Sequence, residues 1–280
     1  MSIDSDNRTN ELPAHSAGRI DSQRVARLLR GERIGQRFKY FEEIDSTNRF
    51  ALELPASETQ DGLVIVTERQ SAGRGRLGRA WHCPRGAGIL CTVVLDDPQG
   101  AIDANLLSLV VPVALVDGIR DAVDVRAEIR WPNDLVTPRG KLAGVLIESA
   151  KHGKRVRYAL GFGINCLQHR GHFPEELRNT ATSLDLECPT AIDRDAVLTA
   201  VLQRLDAWMR QPAWDPQRVR SEWIRHAIPL GGSATLRHDG RIFRGVAIDI
   251  DPTAAIVVQL DEGGRRLFAA SNTSLLEYRS

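Results

Sequence analysis

A loop at residues 71–79 combines the two residue types best suited to binding an anion. Gly73, Gly75 and Gly78 lack a Cβ atom, so the backbone there can reach positive φ angles and a ligand can approach its N–H groups. Three arginines alternate with these glycines: Arg74, Arg76 and Arg79. Their guanidinium groups match the geometry of phosphates and carboxylates. The composition therefore predicts a phosphate or carboxylate site, with Trp81 as a rigid face beside it.

The spacing alone leaves two other interpretations of this loop open. It could be an exposed, solvated turn, since loops are commonly polar and lie at the surface. It could also contact nucleic acid, although 37 basic against 36 acidic residues give the chain a formal net charge of only +1, and a dedicated nucleic-acid binder has a basic domain or stripe. A P-loop is excluded, because no Gly-Lys-Ser/Thr follows and the loop leads into a strand instead of a helix.

Hydrophobic patterning around the loop predicts a body of mixed strands and helices. Seven runs rich in apolar residues are expected to be strands: residues 38–41, 62–67, 88–95, 128–131, 135–137, 142–148 and 156–163. Five segments with helical spacing or caps are expected to be helices: residues 20–29, 49–54, 105–123, 194–209 and 216–227. Residues 1–18 are polar and without periodicity, which predicts a mobile tail.

The texture of the sequence changes after residue 230. Four short strands are expected there: residues 234–237, 241–249, 255–260 and 265–270. Asp239-Gly240 and Gly263-Gly264 are strong turn signals between them. We therefore predict an α+β body followed by a small antiparallel β-barrel.

Length and composition are ordinary for a soluble globular protein. The 280 residues are 42% hydrophobic and 26% charged, which allows one large domain and a small one. The first ten residues lack the apolar core of a signal peptide, and no run approaches the length of a membrane-spanning helix. The four scattered cysteines form no Cys-x-x-Cys pair, and His169 and His172 lack further partners for a metal site. We predict a cytoplasmic protein with reduced thiols and no membrane association.

Several further motifs accompany the loop along the chain. In order, the series is Asp45-Ser-Thr-Asn48, Gln70, Gly73 to Trp81, Trp131-Pro-Asn-Asp134, Lys141-Leu-Ala-Gly144 and Gly161-Phe-Gly-Ile-Asn165. This series closely resembles the biotin protein ligases, of the monofunctional type without a DNA-binding domain, over roughly residues 38–230. The last fifty residues resemble the family's small C-terminal barrel only in their pattern of short strands and turns.

The resemblance implies a fold and a division into domains. The expected fold is α+β, with helices packed on a mixed β-sheet as in the class II aminoacyl-tRNA synthetases and biotin synthetases, and with a small C-terminal β-barrel of SH3-like type. An N-terminal tail and short helix would occupy residues 1–30. The catalytic domain that binds biotin and ATP would span residues 31–228, and the barrel residues 229–280.

The resemblance also implies an activity and its partners. The enzyme would form biotinyl-5'-AMP from biotin and ATP with Mg²⁺, and would then transfer biotin to a lysine of a biotin carboxyl carrier protein or of a carboxylase biotinyl domain. The loop at residues 71–81 would be mobile when empty and would order over the ligands, which keeps water from the intermediate. Homodimers occur in the family, so a homodimer is a further expectation. Because only 45 residues precede Ser46, a winged helix that binds specific DNA is not expected.

The site residues are carried over from the family's motifs. Residues implied to surround biotin are Ser46, Thr47, Asn48, Gln70, Gly73, Arg74, Gly75, Arg76, Lys141, Gly144, Gly161 and Gly163. Residues implied on the ATP side are Arg76, Arg79, Trp81, Arg130, Asn133, Asp134 and Asn165. The implied catalytic residues are Lys141, Arg76 and Arg79, and Asp134 is the implied contact for Mg²⁺.

Physical chemistry gives these assignments a reason. Two like unit charges ~4 Å apart repel by about 4 kcal/mol at an effective dielectric constant near 20, so the attack of a carboxylate on a phosphate needs cations such as Lys141. Hydroxyl groups and the Gln70 amide suit a ureido group, which is both donor and acceptor. Residues 46–48 could equally form only a helix cap, and Asp134 only a turn cap. The rival functions are a lipoate or octanoate ligase on the related fold and a non-catalytic protein that binds biotin.

Overall fold

A seven-stranded mixed sheet forms the body of the protein in a computed structural model, which describes residues 18–29, 33–55, 60–211 and 213–279. Its strands are β1 (Arg37–Phe41), β2 (Leu63–Thr67), β3 (Gly88–Asp97), β4 (Glu128–Arg130), β5 (Asp134–Thr137), β6 (Gly140–His152) and β7 (Arg155–Asn165). Their order in the sheet is β1-β2-β3-β7-β6-β5-β4. β1 and β2 are parallel and the other neighbours are antiparallel, so the predicted mixed sheet is confirmed.

Helices cover both faces of this sheet. They are α1 (Ser22–Leu28), α2 (Thr47–Glu53), α3 (Ala104–Val123), α4 (Leu184–Glu187), α5 (Arg194–Met209) and α6 (Pro216–His226). Successive side chains of a strand point to opposite faces, and in β2 Leu63 and Ile65 pack with Ala51 of α2, while Val64 and Val66 join the larger core with α3 and α5. Burial on both sides explains why the central strands are almost continuously apolar in sequence.

Aspartates begin most of the longer helices. Asp21, Asp103, Asp193 and Asp215 each accept a backbone N–H of the first turn through the side chain. These caps satisfy donors that have no partner within the helix. The five predicted helices are confirmed, although the second begins two residues earlier than expected, at Thr47, with Ser46 as its cap.

A second, antiparallel sheet of five strands follows at the C-terminal end. Its strands are β8 (Ser233–His238), β9 (Arg241–Ile250), β10 (Ile256–Leu260), β11 (Arg265–Phe268) and β12 (Thr273–Arg279), in the order β11-β10-β9-β8-β12. The four predicted strands are confirmed within a few residues, and β12 was not predicted. The sheet is joined to the body by Trp131, whose indole N–H donates to Ala254 O at 3.0 Å.

Further predictions from the sequence concern the N-terminal tail, strand β6, the cysteines and membrane-spanning helices. The predicted N-terminal tail, apart from Gly18, lies outside the described residues. The predicted strand at 142–148 is longer than expected and spans Gly140–His152. All four cysteines are free thiols, as predicted. Among the described residues, no helix combines the length and the apolar composition needed to span a membrane.

Candidate functional site

A cavity of about 880 Å³ brings the sequence motifs together. The predicted site residues that line it are Ser46, Thr47, Asn48, Gln70, Arg74, Gly75, Arg76, Arg79, Trp81, Arg130, Asn133, Asp134, Lys141, Gly144, Gly161, Gly163 and Asn165. Gly73 is the one predicted site residue that does not line it. Residues far apart in sequence therefore meet at one place, as the series of motifs predicted.

The glycine–arginine segment, called here the arginine loop (residues 71–81), folds back on itself. The Trp81 N–H donates to Gly73 O at 3.0 Å, and the Gly75 N–H donates to Arg79 O at 2.7 Å. A Cβ atom on Gly73 would lie 2.8 Å from Trp81 O and 3.2 Å from the amide nitrogen of Gln70, so only glycine lets these groups approach so closely. Internal hydrogen bonds thus fold the loop back on itself at the edge of the cavity.

The first turn of α2 and strand β3 form a relay of hydroxyl and amide groups beside the cavity. Ser46 caps the helix, and its Oγ accepts a backbone N–H at 3.4 Å. The N–H and the hydroxyl of Thr47 both donate to Gln70 Oε1, at 2.9 and 3.1 Å. The buried Thr92 hydroxyl donates to Thr47 Oγ1 at 2.8 Å or to Asn48 Oδ1 at 2.7 Å. Because Thr47 occupies Gln70 Oε1, the amide N–H groups of Gln70 remain available to an acceptor on a ligand.

Asn48 ties this relay to strand β6. Its amide nitrogen donates to Leu146 O at 3.0 Å and to Glu148 Oε2 at 2.8 Å, and Arg74 pairs with the other Glu148 oxygen at 3.5 Å. A Cβ atom on Gly161 would lie 2.2 Å from Asn48 Oδ1. The glycine that was predicted to admit a ligand therefore makes room for the side chain of Asn48.

Positive charge collects around a single carboxylate at the opposite side of the cavity. Lys141 Nζ lies 2.5 Å from Asp134 Oδ1, and Arg130 Nη2 lies 3.0 Å from Asp134 Oδ2. Strands β4, β5 and β6 are neighbours in the sheet, which brings these three side chains together. Lys141 Nζ is also 5.5 Å from the centre of the Trp81 ring. One anion between two cations gives this group of three side chains a net positive charge.

Arg76 extends from the arginine loop to the C-terminal sheet. Its guanidinium donates to Asn133 Oδ1 at 3.4 Å, to Thr273 O at 3.4 Å and to Ala270 O. The segment Ser274–Tyr278 of β12 also lines the cavity. The C-terminal sheet is therefore part of the cavity wall, which no sequence motif indicated.

The electrostatic surroundings of Arg76 favour an anion beside it. Burial lowers the pKa of Arg76 below its ordinary value; Asp134 opposes this shift and the neighbouring Arg79 adds to it. The guanidinium has lost part of its hydration and faces a second cation, so a phosphate between Arg76 and Arg79 would relieve both costs. Arg79 is exposed at the edge of the cavity.

The Trp81 indole lies over two of the glycines on the adjacent strands. A Cβ atom on Gly163 would lie 2.5 Å from the indole ring, and one on Gly144 would lie 3.1 Å from it. The indole N–H is buried and has no hydrogen-bond partner among the residues that the structure describes. Buried donors are normally satisfied, so this N–H marks a place where a ligand acceptor would be stabilised.

Asn165 lies in the cavity wall with both ends of its amide occupied. The nitrogen donates to Thr182 O at 2.9 Å and to Lys141 O at 3.4 Å, and the oxygen accepts from Gln168 Nε2 at 3.0 Å. These bonds hold the backbone of Lys141 in place. The amide thus supports the cationic side of the cavity from behind.

Sequence reasoning missed two side chains of this network. Thr92 is the one hydroxyl in the apolar strand Gly88–Asp97, and a lone hydroxyl on a buried strand was a signal of a buried polar contact. Glu148 was the last residue of the predicted strand at 142–148. A charged residue at that position did not indicate a buried polar contact. His169 and His172 lie outside the cavity, where His169 Nδ1 is 3.3 Å from Asp185 Oδ2.

Comparison with known proteins connects the cavity to one group of relatives. Residues 40–165 match the model of the Biotin/lipoate A/B protein ligase family. The chain is 30% identical over 257 residues to the bifunctional ligase/repressor BirA of Bacillus subtilis, which covers 90% of this chain and 78% of the relative. It is 32% identical over 232 residues to the biotin--[acetyl-CoA-carboxylase] ligase of Paracoccus denitrificans, which covers 81% of this chain and 95% of the relative.

Solved structures confirm the predicted fold. A biotin protein ligase from Aquifex aeolicus in complex with biotin and ATP matches with a TM-score of 0.72 at 24% identity, over 86% of this chain and 98% of that chain. The shared architecture is a mixed sheet with packed helices, and the second antiparallel sheet fits an SH3-like domain.

Proposed function

The chain belongs to the biotin/lipoate A/B protein ligase family, and on that premise we propose that it activates biotin with ATP as biotinyl-5'-AMP and transfers it to a lysine of a carrier protein. The relatives that establish the family are named as biotin ligases. The cavity offers groups for each step of this reaction.

The observation that carries the proposal is the change of polarity across the cavity. Thr47 and Gln70 offer uncharged hydrogen-bonding groups beside β3, and Lys141, Arg130 and Arg76 concentrate positive charge beside β5. Three strand spacings separate β3 from β5, a distance of about 14 Å. Biotin has the matching arrangement, an uncharged ureido ring at one end and a carboxylate at the other. The Gln70 N–H groups would donate to its ureido carbonyl oxygen.

The first half-reaction requires one anion to attack another. A carboxylate oxygen of biotin bonds to the α-phosphorus of ATP, and the bond from that phosphorus to the bridging oxygen breaks, with the electron pair leaving on pyrophosphate. Lys141 has three N–H donors, so it can keep its bond to Asp134 and still donate to the carboxylate and the phosphate. Arg76 and Arg79 would stabilise the charge that develops on the phosphoryl oxygens.

The second half-reaction transfers the acyl group. The neutral amine of the carrier lysine bonds to the carbonyl carbon of the anhydride, the C–O bond to phosphate breaks, and AMP leaves with the electron pair while the amine releases its proton to solvent. We propose that the arginine loop orders over the ligands and keeps water away from the acyl-adenylate intermediate. Hydrogen exchange in residues 71–81 that is equally slow with and without biotin and ATP would contradict this gating.

The residues present fit a Mg²⁺ ion that arrives with ATP. This ion commonly binds one or two carboxylates together with substrate phosphates, and Asp134 is a carboxylate on the cationic side of the cavity. Among the residues that the structure describes, no group of three or more His, Cys, Asp or Glu is placed to hold a metal, so phosphates and water would complete the coordination. Asp134 would hold the ion, which would withdraw charge from the leaving pyrophosphate.

The partners, location and domain division form the remaining part of the proposal. The acceptor is a biotin carboxyl carrier protein or a carboxylase biotinyl domain, and the protein acts in the cytoplasm. The edge strands β1 and β4 of the body are where a homodimer would form. The net charge of +1 supports a ligase without a role at specific DNA, in contrast to the name of the Bacillus relative. Residues 31–228 act as the catalytic domain and 229–280 as a small domain.

Exchange of pyrophosphate into ATP tests the first half-reaction directly. The purified protein with Mg²⁺ is given biotin, lipoate, octanoate or no acid, beside a Lys141→Ala variant. We expect exchange that depends on biotin and falls by at least about 100-fold in the variant, since a cation that stabilises the transition state is removed. Exchange that occurs only with lipoate or octanoate would show that the substrate is that acid and not biotin. Biotin binding without any exchange would support the non-catalytic alternative.

A further inference from the structure

We propose that three exposed leucines at the mouth of the cavity form the docking surface for the acceptor domain whose lysine receives biotin. This leucine rim consists of Leu77, Leu177 and Leu276. The inference rests on the proposed function, since it concerns the second half-reaction. None of the three is among the predicted site residues, although Leu77 lies in the arginine loop and Leu276 in the segment of β12 that lines the cavity.

Exposure and position single out the leucine rim. Six large hydrophobic residues are exposed among those that the structure describes, and three of the six line this one cavity. Leu77 is 56% exposed in the arginine loop, Leu177 is 37% exposed at the end of a short 3₁₀ turn, and Leu276 is 41% exposed on β12. Single exposed leucines are normal, but three from separate segments around one opening mark an interaction site.

Two of the leucines are presented by irregular backbone. Leu77 has a φ of 55°, in the left-handed region that costs a residue with a Cβ atom roughly 1–2 kcal/mol. Leu276 lies where the pairing of β12 with β8 shifts register between Leu275 and Glu277, so it is the extra residue of a β-bulge. Bulges re-aim side chains and recur beside active sites. Irregular backbone of this kind is often found at binding sites, which supports a role for these outward side chains in binding.

The chemistry of transfer identifies the partner. The acyl carbon of the intermediate lies inside the cavity, and an acceptor lysine reaches it with a stem of only four carbons. The backbone of the acceptor domain must therefore come to the mouth of the cavity and contact what surrounds it. Pyrophosphate, biotin and ATP need no such contact.

The charges of the cavity wall favour an acidic acceptor domain. Its basic lining residues are Arg74, Arg76, Arg79, Arg130, Arg139 and Lys141, and its acidic lining residues are Glu128, Asp134 and Glu277. Six cations and three anions therefore line the cavity, which leaves an excess of positive charge. Acidic residues that flank the acceptor lysine would be attracted to this excess, and the apolar leucine rim would supply the contact area.

The test compares two acceptors of different size. The double variant Leu177→Ser/Leu276→Ser leaves the arginine loop, and with it Leu77, unchanged. It is assayed for biotin-dependent pyrophosphate exchange, for transfer to a purified bacterial biotin carboxyl carrier domain, and for transfer to hydroxylamine, which forms biotin hydroxamate and AMP without docking. The matched control is Leu267→Ser. Leu267 is 52% exposed on β11, in the same C-terminal sheet as Leu276, and does not line the cavity.

We expect a loss confined to the large acceptor. In the double variant, exchange and hydroxamate formation should stay within about twofold of the unchanged protein, and kcat/KM for the carrier domain should fall by about tenfold or more, mainly through KM. Leu267→Ser should change none of the three. Unchanged transfer to the carrier domain would overturn the docking surface. So would an equal loss of exchange, or dissociation of a dimer in sedimentation with transfer intact, which would assign the leucine rim to a second copy.

The failure of the docking surface is distinguishable from failure of the proposed function. If the unchanged protein shows no exchange that depends on biotin, the proposed function is wrong and the docking surface is overturned with it. If the unchanged protein exchanges pyrophosphate and transfers biotin, the leucine variants alone decide the docking surface.

Discussion

Replacing Thr92 with valine should weaken biotin binding without changing ATP binding. The Thr92 hydroxyl is fully buried and is the donor that Thr47 Oγ1 and Asn48 Oδ1 share, at 2.8 and 2.7 Å. Valine keeps the branched shape of the side chain, so the main loss is the hydrogen bond. The relay from Thr92 through Thr47 to Gln70 then loses its first donor, and the Gln70 amide is no longer held with its N–H groups toward the cavity.

The expected size of the effect comes from the cost of an unsatisfied buried acceptor. That cost is about 1–3 kcal/mol, and about 1.4 kcal/mol corresponds to a tenfold change in an equilibrium constant. We therefore expect KM for biotin to rise about tenfold in pyrophosphate exchange, with KM for ATP unchanged. The free energy of unfolding in urea should fall by about 1–2 kcal/mol.

A second buried threonine provides the matched control. Thr67 on β2 is also fully buried, but its hydroxyl donates to Arg69 O at 2.9 Å and is not part of the relay to Gln70. Thr67→Val should lower the free energy of unfolding by a similar amount and leave KM for biotin unchanged. If Thr92→Val is destabilised to the same extent but keeps its KM for biotin, Thr92 is a structural residue and the relay does not orient Gln70.

Three further changes test other parts of the site. Gly163→Ala places a Cβ atom 2.5 Å from the Trp81 indole and should displace the ring, which should raise KM for ATP by about tenfold or more. Gly171→Ala is the control, because a Cβ atom added there meets nothing within 4 Å, and it should not change the exchange kinetics. Asp134→Asn removes the carboxylate that holds Lys141 and Arg130, so kcat of exchange should fall by about 100-fold and a higher Mg²⁺ concentration should be needed. If the Mg²⁺ dependence is unchanged, Asp134 does not bind the ion. Burial lowers the pKa of His226, with Asp117 opposing, so its contribution to stability is present above the unfolded-state pKa of about 6.5 and is lost as the pH falls through the lower folded-state value. Urea unfolding at two pH values on either side of this range should therefore show a smaller pH dependence for His226→Gln than for the unchanged protein, and an identical dependence would assign the effect to other groups.

Local sequence signals predicted most of the elements because they depend on neighbouring residues. Helix α5 was expected at 194–209 and spans Arg194–Met209, since its aspartate cap and apolar spacing are both local features. The buried strand β3 was expected from its apolar run. Strand β12 was missed, because it is stabilised by pairing with β8, about 40 residues earlier in the chain, and has no strong pattern of its own.

The sequence by itself indicated the family, and all of the predicted site residues except Gly73 line the cavity. Their types and order were sufficient for the prediction, because arginine and lysine at these spacings suit the chemistry, although the structure shows that Gly73, Gly161 and Gly163 are required by close packing. The tertiary structure alone decided how they are connected: the relay from Thr92 to Gln70, the contact of Arg76 with the C-terminal sheet, and the leucine rim. Each of these joins segments distant in sequence, and a contact of that kind depends on strand order and register, which no local pattern encodes.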